Sequence, residues 1–358
     1  CRTGRGAQVP DGQESVKTLR SGSRVMSSKR LRFSTIGTNK CAAFRTVPQL
    51  SGICCTLPFW VKIAQNGAFD RFSPMKKFKI IKGKYYVVGY KPDGDSIRFQ
   101  ADNAAYWDHF AWEKPEDKAK PRKQLRIEAV DALETHYDGF HQPRPFAIAA
   151  LEKLLAYLRI TDVRYSLSVA TVVAANDGQV GYIAAAELDA FSRLIAFLFP
   201  AETDLPDGSE RTAEQLPLEL SVNFRMLADA LVYPTLYTTT HPMVVEKFRA
   251  VTVQNRQAEK GLWAVDRTRD FTVWDVRTVQ DDTMILPKLF RRLAGFFDTR
   301  GDFGELPAYI KERKDNLRLI KPNGTTVASS FAKLLDIQGR RIRLKEGVEI
   351  EDLLFSPK

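Results

Sequence analysis

Three short stretches hold the residues whose types and spacing bear on chemistry: Asp93-Gly94-Asp95-Ser96, then Leu125-Arg126-Ile127-Glu128-Ala129-Val130-Asp131-Ala132-Leu133-Glu134, then Phe191-Ser192-Arg193-Leu194-Ile195-Ala196. Carboxylates are oxygen donors suited to hard cations, and a glutamate can accept a proton from water. Guanidinium groups bind phosphate oxygens in pairs and keep their charge. Each stretch alone also has an ordinary structural reading. Asp-Gly suits a tight hairpin turn with no ligand. Arg126, Asp131 and Glu134 suit a solvated helix face. Arg193 sits in an apolar run and needs a partner, which a structural salt bridge would supply.

Taken together and in this order, the three stretches resemble the staphylococcal nuclease (thermonuclease-like) family. That family carries a DGDT-type hairpin, an R-x4-D-x-P-E segment and a later GR-x-LA strand start. The resemblance covers about Lys79 to Asp266, including a helix between the second and third motifs and the closing Lys260-Gly261-Leu262-Trp263. It implies a five-stranded OB-fold barrel with packed helices, an α+β fold, and a calcium-dependent endonuclease acting on DNA or RNA. By the same resemblance, Asp95 and Asp131 would ligate one calcium ion with help from the backbone carbonyl of Ala132. Glu134 would be the general base, or would orient the attacking water. Arg126 and Arg193 would hold the scissile phosphate, and the products would be a 5′-hydroxyl and a 3′-phosphate. Tyr233 and Tyr237 lie where the family places aromatic residues beside the nucleotide, with core packing as the equal alternative. The expected substrate strand is single-stranded or unstructured. The sequence departs from the family at Ala132, where the prototype has Thr, and at Leu133, where Pro is usual. Barrel folds also host modules that only bind nucleic acid or protein, so a non-catalytic OB-type module is the alternative.

These residues need elements to position them. Phe78–Tyr90 is rich in β-branched and aromatic residues and reads as strand, with a bend at Gly83. Lys91-Pro92-Asp93-Gly94-Asp95 reads as a hairpin turn into a return strand, Ser96–Gln100. Residues 101–123 form a polar loop, longer than in the prototype, with Tyr106, Trp107, Phe110 and Trp112 available to pin its first half. Gln124–Glu134 fits a helix by local spacing, but the resemblance requires strand over Leu125–Val130. Phe146–Tyr157 reads as an amphipathic helix entered through prolines. Val163–Ala174, Gly178–Ala185 and Leu194–Phe199 read as strands, Pro217–Leu231 and Pro242–Lys260 as helices. Beyond Thr268 a helix around Leu286–Phe297 and short strands near Asn316–Ile320 and Arg341–Leu344 are expected.

Charge marks off the first 74 residues. They hold 12 Lys or Arg against 3 Asp or Glu, whereas residues 75–358 hold 42 against 40. Any nucleic acid must therefore meet a local basic cluster rather than a uniformly basic surface. All four cysteines, Cys1, Cys41, Cys54 and Cys55, also precede Met75. This stretch reads as a disordered leader or translated upstream sequence, with a domain over 75–267 and an extension over 268–358. Translation from Met75 would imply a cytoplasmic protein; a secretory signal beginning at Met26 is the weaker alternative. His136 and His141 match no familiar zinc spacing and read as surface loop residues.

Overall fold

Leu125 and Ile127 point inward from Lys123–Ile127 (β3) while Gln124 and Arg126 are half-buried on the other side, a period of two that makes this segment a strand. The helical spacing of 124–134 is overridden by pairing. β3 runs antiparallel to Ser96–Ala101 (β2) and parallel to Leu194–Pro200 (β5). Phe78–Tyr86 (β1) pairs with β2 and with Gln179–Leu188 (β4), and β4 pairs with β5. The order 1-2-3-5-4-1 closes a mixed five-stranded barrel with OB-fold topology. The structure, a computed structural model, describes residues 76–166 and 171–357. The expected leader and Met75 lie outside the described residues.

Five expectations need correction. β1 ends at Tyr86 rather than Tyr90, because the Asp177 carboxylate takes the N–H groups of Val87 (2.7 Å) and Val88 (3.1 Å). Gly89, at φ +85°, then turns the chain. The link to β2 is therefore a loop over residues 87–95, with Asp93-Gly94-Asp95 as its last turn rather than a tight hairpin. Gly83 is not a bend; a Cβ there would lie 2.1 Å from the Gln100 carbonyl oxygen, so glycine permits the close approach of neighbouring strands. Among the described residues, Val163–Ala174 contributes Arg164–Tyr165 and Val172–Ala174, a separate two-stranded pairing outside the barrel. Pro217–Leu231 is also shorter than a continuous helix: a 3-10 turn at Leu218–Leu220 precedes Val222–Ala228, whose N-terminus is capped by the Ser221 hydroxyl.

Helices Arg144–Tyr157 (α1) and Pro242–Gln257 (α2) carry the expected elements. The loop over 101–123 is held by buried Trp107 and Phe110 and by the Lys123 ammonium, which donates to the carbonyls of Asp117, Lys118 and Lys120. Beyond Thr268, Pro287–Thr299 (α3) buries Leu289, Phe290, Leu293 and Phe296, spaced for one face. Each such side chain contributes roughly 2 kcal/mol of burial. They share one apolar cluster with Leu133, Tyr233, Leu262 and Trp263, so the segment after 268 packs directly on the chain that follows β3. Leu236–Tyr237 adds parallel to Leu353–Phe355, within a four-stranded sheet that includes Asn316–Ile320 and Thr326–Ser330. Among the described residues no helix is long and apolar enough to cross a membrane.

Candidate functional site

The register of β2 and β3 sets Ser96 opposite Arg126, which brings the preceding Asp95 beside the same arginine. The Ile127 N–H donates to the Asp95 carbonyl at 3.0 Å and locks this pairing. After β3 the chain turns at Ala129, at φ +66°, and Val130–Asp131 pairs with Tyr233–Pro234. That turn returns Asp131 to the arginine five residues earlier. Arg126 consequently bridges two carboxylates, with Nη1 on Asp95 and Nη2 on Asp131 Oδ1 at 2.8 Å. The Ala132 N–H donates to Asp95 Oδ2 at 3.3 Å.

Glu134 is held without the family's proline. Its N–H donates to the Gln142 side-chain carbonyl (3.2 Å), and its carbonyl accepts from the Gln142 N–H (2.9 Å). Next to it, Thr135 bonds the Asp93 carboxylate through both its N–H and its hydroxyl. Leu133 is buried in the apolar cluster dominated by the C-terminal segment, so the side chain found in place of proline has a packing role. Gly94 is also explained: a Cβ would sit 2.9 Å from those of both Ala132 and Ala150, so the turn, the small residue at 132 and α1 pack closely.

One further residue enters from far along the chain. Arg291, on α3, places Nη2 2.7 Å from Asp131 Oδ2 and Nη1 3.3 Å from Asp131 Oδ1, and Nη1 also bonds Glu134. Sequence reasoning located the helix but not this arginine. Gln142 was missed as well; its side-chain amide donates to the Ile285 carbonyl at 2.7 Å, tying the Glu134 loop to the start of α3. Lys288, one turn before Arg291, lies over the rings of Phe355 (4.1 Å) and Tyr237 (5.5 Å).

The charges are strongly coupled. Burial pushes the Asp131 carboxyl up, but the adjacent Arg291 and Arg126 outweigh it and hold the group well below the usual carboxylate range. Burial dominates at Glu134, and with the negative charges of Asp93 and Asp131 it raises the pKa to about 7 against the pull of Arg291. Burial and the nearby Arg291 lower Lys288 to about 8. The site thus pairs a permanently ionised aspartate with a glutamate that titrates near neutrality, the arrangement wanted of a general base.

Arg193 and Tyr233 stand apart from this. The Arg193 guanidinium pairs with Asp189 at 2.7 Å and lies over the Phe191 ring, and no hydrogen bond or ion pair links it to Asp95, Arg126, Asp131 or Glu134. The salt-bridge reading of this residue therefore describes its position, with the partner four residues earlier. Tyr233 is fully buried, its hydroxyl donating to Asp266 at 2.6 Å and its ring against Trp263. Tyr237, by contrast, borders the cluster: it is half-buried beside Lys288 and lies within reach of the charges of Arg126, Asp131 and Arg291. His136 pairs with Asp93 at 3.3 Å, and His141 contacts the Gln142 carbonyl.

Hard carboxylate and carbonyl oxygens are the right donors for the calcium ion that the resemblance implies. Their arrangement is not. Both Asp131 oxygens are occupied by guanidinium groups, as is Asp95 Oδ2, whereas calcium needs about six to eight oxygen ligands. Among the described residues no group of three or more acidic, His or Cys side chains is placed to hold a metal ion. The chain matches no protein-family model, and no curated protein matches it either.

Proposed function

We propose that the chain is a phosphodiesterase of the staphylococcal-nuclease type that cleaves single-stranded or unstructured DNA or RNA. The observation that carries this reading is the meeting of Asp95, Arg126, Asp131 and Glu134, expected from separated motifs, in one hydrogen-bonded cluster on the barrel. Arg126 has five N–H donors and spends two on carboxylates, so it retains donors for phosphate oxygens. Glu134 would take a proton from water as the water oxygen attacks phosphorus. The P–O5′ bond then breaks, and the leaving oxygen gains a proton from solvent. Positive charge from Arg126, Lys288 and Arg291 would stabilise the added negative charge of the pentacoordinate phosphorus. No step is routed through the implied calcium ion, because guanidinium groups hold both Asp131 oxygens and Asp95 Oδ2. A chain starting at Met75 would act in the cytoplasm.

A specific observation favours a second reading, an OB module that binds without cleaving: Asp131 is wholly buried and both its oxygens are engaged. Incubating the full chain with end-labelled single-stranded DNA separates the two. The phosphodiesterase reading expects products ending in 3′-phosphate that disappear in Glu134→Gln, with DNA affinity by fluorescence anisotropy unchanged. Binding by the wild type with no cleavage would leave only the second reading.

A further inference from the structure

Bond breaking on the leaving side has no proton donor among the motif residues. Phosphodiester cleavage expels a 5′-alkoxide, a poor leaving group unless it is protonated as the P–O5′ bond breaks. Arg126 and Arg291 are engaged with carboxylates and, as guanidinium groups, do not release protons near neutral pH. Arg193, the other motif cation, is held by Asp189.

Lys288 differs from all three. It lies one turn before Arg291 on α3, so the two side chains leave the same face of the helix. Its ammonium stands over the rings of Phe355 and Tyr237, at 4.1 and 5.5 Å, and makes no hydrogen bond or ion pair among the described residues. The neighbouring Arg292 takes the Asp315 carboxylate instead. The charges that bear most on Lys288 are those of Arg291, Asp131, Asp315 and Arg292, whereas Glu134 feels mainly Arg291, Asp93 and Asp131. The two groups therefore flank the Arg291–Asp131 pair, Glu134 toward Asp93 and Gln142, Lys288 toward Tyr237 and Phe355. A phosphate seated on the guanidinium groups between them would meet a base on one side and an ammonium on the other, as in-line displacement requires. Burial and Arg291 lower Lys288 to about 8, so it is charged at neutral pH yet gives up its proton more readily than a free lysine. Being only half-buried, it stays open to reprotonation.

We propose that Lys288 is the general acid of this site: its ammonium protonates O5′ as the P–O5′ bond breaks, and solvent then restores the proton to the amine. Solvent remains the source of that proton, with Lys288 as its carrier. The electron pair of the broken bond stays on O5′, and Glu134 releases to solvent the proton it took from water. The inference rests on the phosphodiesterase reading and assigns a chemical role to a residue of the segment after 268.

A bridging 5′-phosphorothiolate tests the role, because a thiolate leaves without being protonated. Cleavage is measured for the full chain as wild type, Lys288→Arg and Lys288→Gln, on end-labelled single-stranded DNA with oxygen or sulfur at the 5′ position of one linkage. In both variants the sulfur-to-oxygen ratio of kcat/KM at that linkage should rise on the order of a hundredfold over wild type, the usual contribution of a general acid. Arg keeps the positive charge but not the labile proton, so the ratio separates acid catalysis from charge. An unchanged ratio in either folded variant would overturn the proposal, even if both rates fell, and would leave the phosphodiesterase reading standing. Should Lys288→Arg not fold, the ratio in Lys288→Gln decides. A wild type that cleaves neither linkage would overturn the phosphodiesterase reading, and the role of Lys288 with it.

Discussion

Glu134 offers the sharpest quantitative check, because its carboxyl is buried and its pKa lies near 7 rather than the ordinary 4.5. A carboxyl raised in the folded state favours folding in its neutral form. That contribution is complete below pH 4.5 and is lost as pH rises through 7. At about 1.4 kcal/mol per pKa unit, the span corresponds to roughly 3 kcal/mol. Glutamine keeps the shape of the neutral acid and cannot ionise. Glu134→Gln is therefore expected to match the wild type near pH 4.5 and to exceed it by about 3 kcal/mol at pH 8. Urea unfolding of both proteins at half-unit pH steps measures the difference, and other titrating groups largely cancel between them. A pH-independent difference, or a variant less stable than wild type at pH 8, would mean that the ion pair with Arg291 outweighs desolvation and that the argument fails.

Other substitutions probe the surrounding packing and the residues left outside the cluster. Gly94→Ala should cost about 1–3 kcal/mol in chemical denaturation, since its methyl would press on Ala132, Ala150 and the Ala150 backbone. Asp189→Ala should leave cleavage within about twofold and cost about 1–2 kcal/mol, since its carboxylate also accepts the N–H groups of Phe191 and Arg193 in the turn. Tyr233→Phe removes a donor from half-buried Asp266 and should lower stability by about 1–2 kcal/mol. Its affinity for single-stranded DNA by anisotropy should not change, because the ring is enclosed.

The barrel was legible because of what its strands are made of: Phe78–Tyr86 is rich in β-branched and aromatic residues, and Leu194–Pro200 is a short continuous apolar run of the kind that fills a buried strand. Lys123–Ile127 was not legible from spacing, since five residues of alternation are too few to outweigh Ala, Leu and Glu content. Only pairing on both edges makes it a strand. Turns were misplaced where a distant side chain ends an element. Asp177 stops β1 and Ser221 starts its helix late, and neither shows in the propensities of the segment it controls. Four of the five charged residues drawn from the motifs do meet. Arg193 does not join them because Asp189, within its own turn, claims it first. Arg291 had no local signal at all, since a basic residue on an amphipathic helix is ordinary until the helix is docked.

In the proposed reaction Glu134, placed among Asp95, Arg126 and Asp131, removes a proton during phosphodiester cleavage. Measuring kcat/KM for single-stranded DNA from pH 5 to 9 tests it most directly. The value should rise with pH through an inflection near 7, the pKa that burial gives Glu134, and fall above about 8 as Lys288 loses its charge. Glu134→Gln should lose this activity. Cleavage by Glu134→Gln at the wild-type rate, or no cleavage by the wild type at any pH, would contradict it.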